Sequence, residues 1–190
     1  MYYQKNKNKK GVKMKFLIYY LFIFISLLYS NEEIKYNNYR IEINVINCNM
    51  YFYGIIDGEE KLIKTYKVAT PKITENFPKE QGKILKVDLN PWWYPTERTK
   101  EEFKKRDIYL PNAVPPGDKN NYMGDFKIHL SMCTKDKGCV YRIHGNLDEN
   151  SIGKRTSGGC IRMHNIEGKE FAIQIKNILE EGKEVLIQYT

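Results

Sequence analysis

Apolar and polar residues alternate along several short segments of the chain, which is the pattern of β-strands with one buried face. In the first of these segments Ile41, Ile43 and Val45 are separated by polar residues. Segments with similar features predict further strands over residues 50–56, 61–69, 83–89, 126–132, 139–144 and 184–189. The sequence Asp57-Gly58-Glu59-Glu60 between two of them predicts a hairpin. Many short strands separated by turns that contain Gly or Pro predict a sandwich or a barrel.

Two segments have helical features instead. Thr99-Lys100-Glu101-Glu102 fits a capping box and predicts the start of a short, charged helix after Pro95. A second helix is predicted from Asn165 as its cap to just before Gly182. The apolar face predicted for it consists of Phe171, Ile175, Ile178 and Leu179. The chain is therefore predicted to be mainly β with one or two short helices.

A long loop is predicted over residues 111–125, which are rich in Pro, Gly and Asn. Loops of this length inside a compact domain are usually functional, so we expect it to contribute to a site or to form a lid.

The first 30 residues have the pattern of an export signal. They contain six Lys and no Asp or Glu, and the Lys residues precede an apolar run, 16–29, that only Ser26 interrupts. A helix of these 14 residues would span about 21 Å, less than the roughly 30 Å core of a bilayer. We predict a secretory signal peptide over residues 1–30, with Met14 as an alternative start and an uncleaved N-terminal anchor as the alternative interpretation. In either case we expect a single domain over residues 31–190 to be exported to the periplasm or cell envelope.

Most of the net positive charge of the chain lies in these first 30 residues. The chain has 31 Lys and Arg against 23 Asp and Glu, a net charge of +8 that suggests a partner with phosphates. Subtracting the six Lys of residues 1–30 leaves 25 basic and 23 acidic residues, or about +2. The remaining Lys and Glu are interspersed, which is typical of a solvated surface. We therefore expect no nucleic-acid partner, and contact with a membrane only through the N-terminal segment if it is uncleaved.

Candidate chemistry is concentrated between His144 and His164. Cys160 follows two glycines, and His144 ends a predicted strand 16 residues earlier. A cysteine nucleophile must be a thiolate, and a nearby histidine can accept its proton and stabilise the charge. Without further information, a half-disulfide and an ordinary surface or core histidine are the commoner interpretation in an exported protein.

The residues around Cys160 fit catalysis in two further respects. Gly158 and Gly159 allow a sharp turn, in which the N–H groups of Gly159 and Cys160 can point towards a developing oxyanion. Arg162 lies two residues beyond Cys160 and can offer a bidentate contact to a substrate carboxylate. The sequence thus predicts a cysteine site with an anion-binding group beside it.

Three separated stretches match the motifs of one known family. His144-Gly145 and residues 157–162, Ser-Gly-Gly-Cys-Ile-Arg, resemble a pattern of His-Gly, a spacer, then Ser-His-Gly-Cys followed by an apolar residue and Arg or Asn. Residues 90–95 resemble Asn-Pro-x-Trp-x-Pro, and residues 115–124 resemble the loop Pro-Pro-Gly-x-x-Asn-Pro-x-Gly. These are motifs of the L,D-transpeptidase (YkuD/ErfK-type) catalytic domain family. The resemblance extends from residue 40 to residue 189.

This resemblance implies an L,D-transpeptidase-type β-sandwich, with Cys160 as the nucleophile and His144 as the general base. It also implies that the carbonyl of Gly145 orients His144, that Ser157 shapes the turn and that Gly159 contributes to the oxyanion site. Cys160 would form an acyl-enzyme with a peptidoglycan stem peptide by expelling its terminal D-residue. An amine of a second stem, or another amine acceptor, would then resolve the thioester. Neither a cofactor nor a metal is expected.

Other functions fit the same scaffold. Water as the acceptor would give an L,D-carboxypeptidase, and cleavage of a protein–peptidoglycan link would give a cysteine amidase. A catalytically idle wall-binding module would need none of Cys160, His144 and Arg162, so the presence of all three favours an enzyme. Nothing in the sequence indicates an oligomeric state.

Three residues near the motifs need separate interpretation. Gly158 stands where many family members have His, so proton transfer falls to His144 and the polarity of the site is expected to differ. Tyr122 replaces the Pro of the loop motif, which bears on the conformation of the loop rather than on the chemistry. His164 lies four residues after Cys160 and is interpreted as a surface or helix-start residue rather than a catalytic one.

Two further cysteines, Cys133 and Cys139, have two alternative interpretations. Cys133 and Cys139 flank a five-residue turn and can form a disulfide in an exported protein. The alternative is a metal site with His144 and His129, which would consume the candidate base.

Cys48 is interpreted as a small residue at the end of a strand. Trp92 and Trp93 are expected to pack in the core, with a sugar-stacking platform as the alternative.

Overall fold

A computed structural model of the protein describes residues 35–190. The predicted export segment, residues 1–30, lies outside the described residues. No helix between residues 35 and 190 is both long enough and apolar enough to cross a bilayer.

Strands make up most of the regular structure in the described residues, so the prediction of a mainly β fold is confirmed. The strands are β1 (Asn38–Asn44), β2 (Asn49–Ile56), β3 (Glu59–Lys67), β4 (Thr70–Pro71), β5 (Gly82–Leu89), β6 (Phe126–Leu130), β7 (Arg142–His144), β8 (Arg155–Ser157), β9 (Ile161–Arg162) and β10 (Val185–Tyr189). The helices are α1 (Glu97–Lys104) and α2 (Asn165–Glu180), and a 3-10 turn occupies Glu149–Ser151. The strand predicted over 139–144 is shorter than expected, because Cys139 belongs to a disulfide-closed loop.

Eight strands form one mixed sheet in the order β3-β2-β1-β10-β5-β6-β7-β9, and β4 pairs with β8 in a separate two-stranded sheet. The hairpin predicted at residues 57–60 joins β2 to β3, and its turn is shorter than predicted because Glu59 and Glu60 already pair in β3. The pairs β1–β10 and β7–β9 are parallel, and the other neighbours in the large sheet are antiparallel. This order leaves β9, which directly follows Cys160, at one edge of the sheet.

Helix α2 covers one face of the sheet and closes the core. Its residues Phe171, Ile175 and Ile178 are buried, as the apolar spacing predicts. The ring of Phe171 lies 5.3 Å from that of Phe52 and 4.9 Å from that of Tyr66, measured between centroids. Aromatic contacts of this kind join α2 to strands that lie far from it in sequence.

The opposite face of the sheet carries polar side chains near β6. Strand β6 alternates buried Phe126, Ile128 and Leu130 with half-buried Lys127 and His129. Because successive side chains of a strand point to opposite faces, the polar residues lie on the face away from α2. This is the face on which the candidate site is built.

Both helices begin at a different residue from the predicted cap. The N-cap of α1 is Thr96, whose side chain accepts a hydrogen bond from the Thr99 amide at 3.2 Å, so Thr99 lies inside the helix. The N-cap of α2 is His164, and Asn165 is the first helical residue. The Asn165 side chain does not cap the helix, because it is bonded to the backbone of Asn146. The interpretation of His164 as a residue at the start of a helix is confirmed.

The loop over residues 111–125 is tied to the segment 90–95. Trp93 and Val114 exchange two backbone hydrogen bonds, of 3.0 and 2.8 Å. The side chain of Asn121 is buried and donates to the carbonyl groups of Pro91 at 2.8 Å and Pro115 at 3.1 Å. The two stretches that carry family motifs therefore form one structural unit.

Candidate active site

Strand pairing brings His144 and Arg162 to one face of the sheet, and Cys160 lies immediately before the second of these two strands. In the parallel pair β7–β9, Ile143 lies opposite Ile161 and His144 opposite Arg162. Both isoleucines are buried in the core, so His144 and Arg162 point to the other face. Cys160 lies in the bend just before β9, and its Sγ contacts the carbonyl group of Val140, two residues before β7. The pairing of β7 with β9 thus brings the segments of His144 and Cys160 side by side, although 16 residues separate them in sequence.

His144 is held in one tautomer by its neighbour. Its Nδ1 lies 2.7 Å from the carbonyl oxygen of Gly145, which can only accept, so Nδ1 carries the hydrogen and Nε2 keeps a lone pair. The hydrogen bond that the resemblance implied for Gly145 is therefore present. Burial, and secondarily the charge of Arg162, lowers the pKa of His144 to about 3. His144 is consequently neutral near pH 7 and can accept a proton at Nε2.

Gly145 is also a point of very close packing. A Cβ added there would lie 2.9 Å from the Met123 carbonyl oxygen and 2.9 Å from the Gly124 Cα. The end of the 111–125 loop therefore rests directly on the residue that orients His144. Only a glycine at this position permits so close an approach of the two backbones.

Cys160 carries a free, half-buried thiol. Its Sγ lies 3.6 Å from the carbonyl oxygen of Val140 and donates to it. Burial raises the pKa of the thiol, while the Arg142 amide and the positive charges of Arg142, Arg162 and Lys137 act in the opposite direction. The sulfur thus lies among cations that favour its thiolate form.

The N–H groups of Gly159 and Cys160 differ in their hydrogen bonding. Gly159 donates its N–H to Oγ of the fully buried Ser157 at 3.2 Å, so Ser157 shapes the turn from inside. Gly159 has a φ of +141°, and a Cβ there would lie 3.0 Å from Cε1 of Tyr141. The Cys160 amide makes no hydrogen bond to any other residue of the range 35–190. Of the two donors predicted for an oxyanion, Cys160 N–H is therefore the free one.

Arg162 presents a guanidinium group that has no protein partner in the described part of the chain. Its backbone is fixed by two hydrogen bonds with Ala69, of 2.8 and 3.1 Å. The half-buried side chain makes no hydrogen bond or ion pair with residues 35–190, and burial lowers its pKa. A half-buried cation without a partner is suited to bind a carboxylate of a substrate.

Sequence reasoning missed three residues of this region. Lys137 donates to the Gly158 carbonyl at 2.9 Å, and the side chain of Arg142 lies beside Cys160. Asn165 clamps the backbone after His144, because its side chain accepts from the Asn146 amide at 3.0 Å and donates to the Asn146 carbonyl at 2.5 Å. No periodicity marks these residues, and the only signal for Lys137 is its position between two cysteines.

Cys133 and Cys139 form a disulfide, with an S–S distance of 2.01 Å. Their thiols are therefore not available to a metal, and the alternative of a zinc site with His144 and His129 is wrong. Residues 35–190 contain no group of three or more His, Cys, Asp and Glu side chains that could hold a metal ion.

The two tryptophans differ in their environments. Trp93 is buried against the ring of Tyr122, with centroids 4.8 Å apart, so core packing is confirmed for this residue. Trp92 is 48% exposed and lies beside Tyr94, so the prediction of core packing is wrong for Trp92. The reason is the alternation of an extended segment, which turns neighbouring side chains to opposite sides.

Comparison with known proteins gives the class of this domain. The family model for the L,D-transpeptidase catalytic domain (YkuD) matches residues 38–187. The chain is 37% identical over 137 residues to the Escherichia coli K12 protein named "Probable L,D-transpeptidase YcfS", across 71% of this chain and 40% of that protein. It is 40% identical over 126 residues to "Probable L,D-transpeptidase ErfK/SrfK" of Salmonella typhimurium LT2, across 66% of this chain and 37% of that protein.

The chain therefore belongs to the L,D-transpeptidase (YkuD) catalytic domain family. It spans about two fifths of the length of these curated relatives. A solved structure, that of the helical cell shape determining protein Pgp2 from Campylobacter jejuni, has a similar fold, with a TM-score of 0.52 and 16% sequence identity over 82% of this chain and 48% of that one.

Proposed function

We propose that this domain is a cysteine L,D-transpeptidase that acts on peptidoglycan stem peptides through an acyl-enzyme on Cys160. The observation that carries the proposal is the pairing of β7 with β9, which brings the strand that ends at His144 beside the strand that directly follows Cys160, with the His144 tautomer fixed by Gly145. Membership of the L,D-transpeptidase family supports the class of reaction.

In the first half-reaction, the sulfur of Cys160 attacks the carbonyl carbon between the L-centre and the terminal D-residue of a donor stem. The thiol proton passes to Nε2 of His144, and the carbonyl oxygen becomes an oxyanion that accepts from the Cys160 amide. The C–N bond to the D-residue then breaks, and His144 returns the proton to the departing amine. Arg162 binds a carboxylate of the donor and so fixes its register.

In the second half-reaction, the amine of an acceptor stem attacks the thioester carbon. A new C–N bond forms, the C–S bond breaks, and His144 transfers the proton of the amine to the sulfur of Cys160. Water in place of the amine would give a shortened stem and hence L,D-carboxypeptidase activity.

Export is part of the same proposal. The substrate class lies outside the cytoplasm, and residues 1–30 have the pattern of a signal peptide or an N-terminal anchor. The Cys133–Cys139 disulfide supports an oxidising compartment, because such bonds are rare in the reducing cytosol. We therefore assign residues 31–190 to the catalytic domain and place it in the periplasm or cell envelope.

Purified muropeptides that carry tetrapeptide stems test the proposal. The full-length wild-type protein is expected to convert them into cross-linked dimers, which mass spectrometry identifies by mass. Cys160→Ala is expected to abolish all product, because the proposed acyl-enzyme needs the sulfur of Cys160. The matched control is Cys48→Ala, which removes the other free cysteine and is expected to leave the product unchanged.

Two outcomes decide against parts of the proposal. Identical products from Cys160→Ala and wild type would rule out Cys160 as the nucleophile. Tripeptides without dimers, formed only when Cys160 is present, would retain the acyl-enzyme but identify water as the acceptor.

A further inference from the structure

The disulfide Cys133–Cys139 closes a short loop next to the nucleophile. Within this loop Thr134 and Gly138 exchange two backbone hydrogen bonds, of 3.1 and 2.8 Å. The loop is thus ordered both by a covalent bond and by backbone pairing. Lys137 lies near its tip and points inwards, with only 11% of its side chain exposed. A lysine in so small a surface loop is ordinarily solvated, so this burial calls for a physical cause.

The ammonium group of Lys137 makes three contacts. It forms an ion pair with Glu75 at 2.6 Å, and the Glu75 side chain is itself only 10% exposed. It donates to the backbone carbonyl of Asn76 at 3.2 Å and to that of Gly158 at 2.9 Å. The three donors of the ammonium are therefore matched by three acceptors, which compensates its burial. Glu75 is in turn bonded to Arg98 at 2.5 Å, so the anchor extends to helix α1.

The contact with Gly158 bears directly on the turn that precedes Cys160. The Gly158–Gly159 peptide unit is held on both sides, since Lys137 binds its carbonyl oxygen and Ser157 Oγ binds its N–H. A backbone of two consecutive glycines has more freedom than any other dipeptide and needs such restraints to keep one conformation. The next amide along the chain is that of Cys160, the free donor of the site.

Lys137 also contributes to the charge around the thiol. The cations that face Cys160 are Arg142 on β7, Arg162 on β9 and Lys137 on the disulfide-closed loop. Arg142 and Arg162 belong to paired strands, whereas Lys137 reaches the site from its loop and is held there by Glu75. A thiolate at Cys160 is favoured by each of the three charges.

We propose that Lys137 is a positioning residue for the nucleophile, held over the Gly158–Gly159 peptide by the Cys133–Cys139 loop and by Glu75. The proposal rests on the function proposed for Cys160. Lys137 restrains the turn and increases the thiolate fraction of Cys160, and the disulfide keeps Lys137 in place.

Alkylation of Cys160 by iodoacetamide tests this proposal without any peptidoglycan substrate. The rate of modification at neutral pH follows the thiolate fraction, and peptide mass spectrometry assigns it to Cys160. We expect Lys137→Met to slow alkylation severalfold, because the turn loses its hydrogen bond at Gly158 and the thiolate loses one of three nearby positive charges. Lys137→Arg, which keeps the charge and donors, is expected to recover most of the rate.

The matched control is Lys135→Met, which removes the same charge from the same loop. Lys135 is exposed. Cys160 in the Lys135→Met variant is therefore expected to be alkylated at the rate of wild type. In the muropeptide assay, Lys137→Met is expected to lower kcat by a similar factor with little change in KM, because Lys137 touches the turn and not the substrate.

A second variant keeps the chemistry of Lys137 intact. In Cys133→Ala/Cys139→Ala the loop is no longer closed, and we expect slower alkylation of Cys160 with the same split between kcat and KM. A folded Lys137→Met protein with the alkylation rate of wild type would overturn the proposal, as would equal losses in Lys135→Met. Slow alkylation in Lys137→Met, in a protein that forms no muropeptide product even as wild type, would uphold the role of Lys137 while rejecting the proposed function.

Discussion

Burial acts in opposite directions on the two side chains that are proposed to share a proton. It lowers the pKa of His144 to about 3 and raises the pKa of Cys160, so both groups are neutral near pH 7 in the resting domain. The cations Lys137, Arg142 and Arg162 oppose the effect at the thiol. We infer that proton transfer accompanies attack on the substrate, when the negative charge passes from sulfur to the oxyanion.

The two glycines before Cys160 are expected to tolerate substitution differently. Gly159 has a φ of +141° and lies against Tyr141, whereas a Cβ at Gly158 would meet nothing within 4 Å. We predict that Gly159→Ala lowers the free energy of unfolding by about 1–3 kcal/mol, the cost of a strained backbone conformation. It is also expected to remove most of the activity, because the Cys160 amide moves with the turn. Urea unfolding and the muropeptide assay measure the two effects.

Gly158→Ala is the control for this prediction, since it makes the same change one residue earlier. Its free energy of unfolding is expected to stay within about 0.5 kcal/mol of wild type. If both substitutions lowered the free energy of unfolding equally, the loss in Gly159→Ala would not come from the positive φ of Gly159.

At the scale of elements, two very short strands set the geometry of the site. Strands β7 and β9 have three and two residues, yet their register places His144 opposite Arg162 and keeps both side chains out of the core. A slip of one residue would turn either of these side chains into the core. The edge strand β9 is protected from such a slip because Ala69 pairs with Arg162 from the other side.

Asn121 fixes the loop that packs against Gly145. Its buried side chain joins Pro91 to Pro115, so we predict that Asn121→Ala loosens residues 111–125 and costs about 1–3 kcal/mol through the unpaired carbonyl groups. Limited proteolysis, with the cut sites mapped by mass spectrometry, is expected to show faster cleavage within the loop. A lower transpeptidase activity is expected as well, because the end of the loop rests on the residue that orients His144.

The neighbouring residue provides the comparison. Asn120 is exposed, and Asn120→Ala is expected to leave both proteolysis and activity as in wild type. Resistance of Asn121→Ala to cleavage, at the level of Asn120→Ala, would show that the loop is held by its backbone bonds alone.

At the scale of the whole molecule, buried and paired ionisable groups are expected to make the fold sensitive to acid. The pKa of His144 is lowered to about 3 by burial, and the pKa of Asp88 is lowered to about 2 because its hydrogen bonds to His129, Lys127 and Lys86 outweigh the effect of burial. An unfolded chain binds protons at both sites at higher pH than the folded domain does. Stability is therefore fully present above about pH 6.5 and is lost as the pH falls.

We predict that the free energy of unfolding decreases by about 1.4 kcal/mol per pH unit for the His144 proton as the pH falls from 6 towards 3, and by a similar amount for the Asp88 proton only below about pH 4. Urea unfolding at a series of pH values measures this slope. His144→Gln is expected to reduce the slope between about pH 6 and 5, where the carboxylates stay ionised. An unchanged slope in this variant would mean that His144 is not held neutral in the folded domain.

Local chemistry made much of the fold predictable from the sequence. The alternation around Ile41 and along residues 126–130 identified strands, because burial of one face leaves a period of two. The apolar spacing of Phe171, Ile175 and Ile178 identified α2 for the same kind of reason. The predicted caps were wrong, because the side chain of Thr96 rather than Thr99 caps α1, and the side chain of Asn165 is bonded to the backbone of Asn146 instead.

The sequence by itself determined the mainly β fold class, the family, and the residues Cys160, His144 and Arg162 as the candidate site, since these depend on residue types and spacing along the chain. Only the tertiary structure decided that Cys133 pairs with Cys139, and that Lys137 reaches Gly158. It also decided which amide of the turn stays free. The physical reasons differ: the Lys137–Gly158 contact joins segments 21 residues apart, the free amide depends on the backbone angles of the turn, and the disulfide depends on how closely the folded loop brings its two cysteines together. None of these leaves a periodic trace in the order of residues.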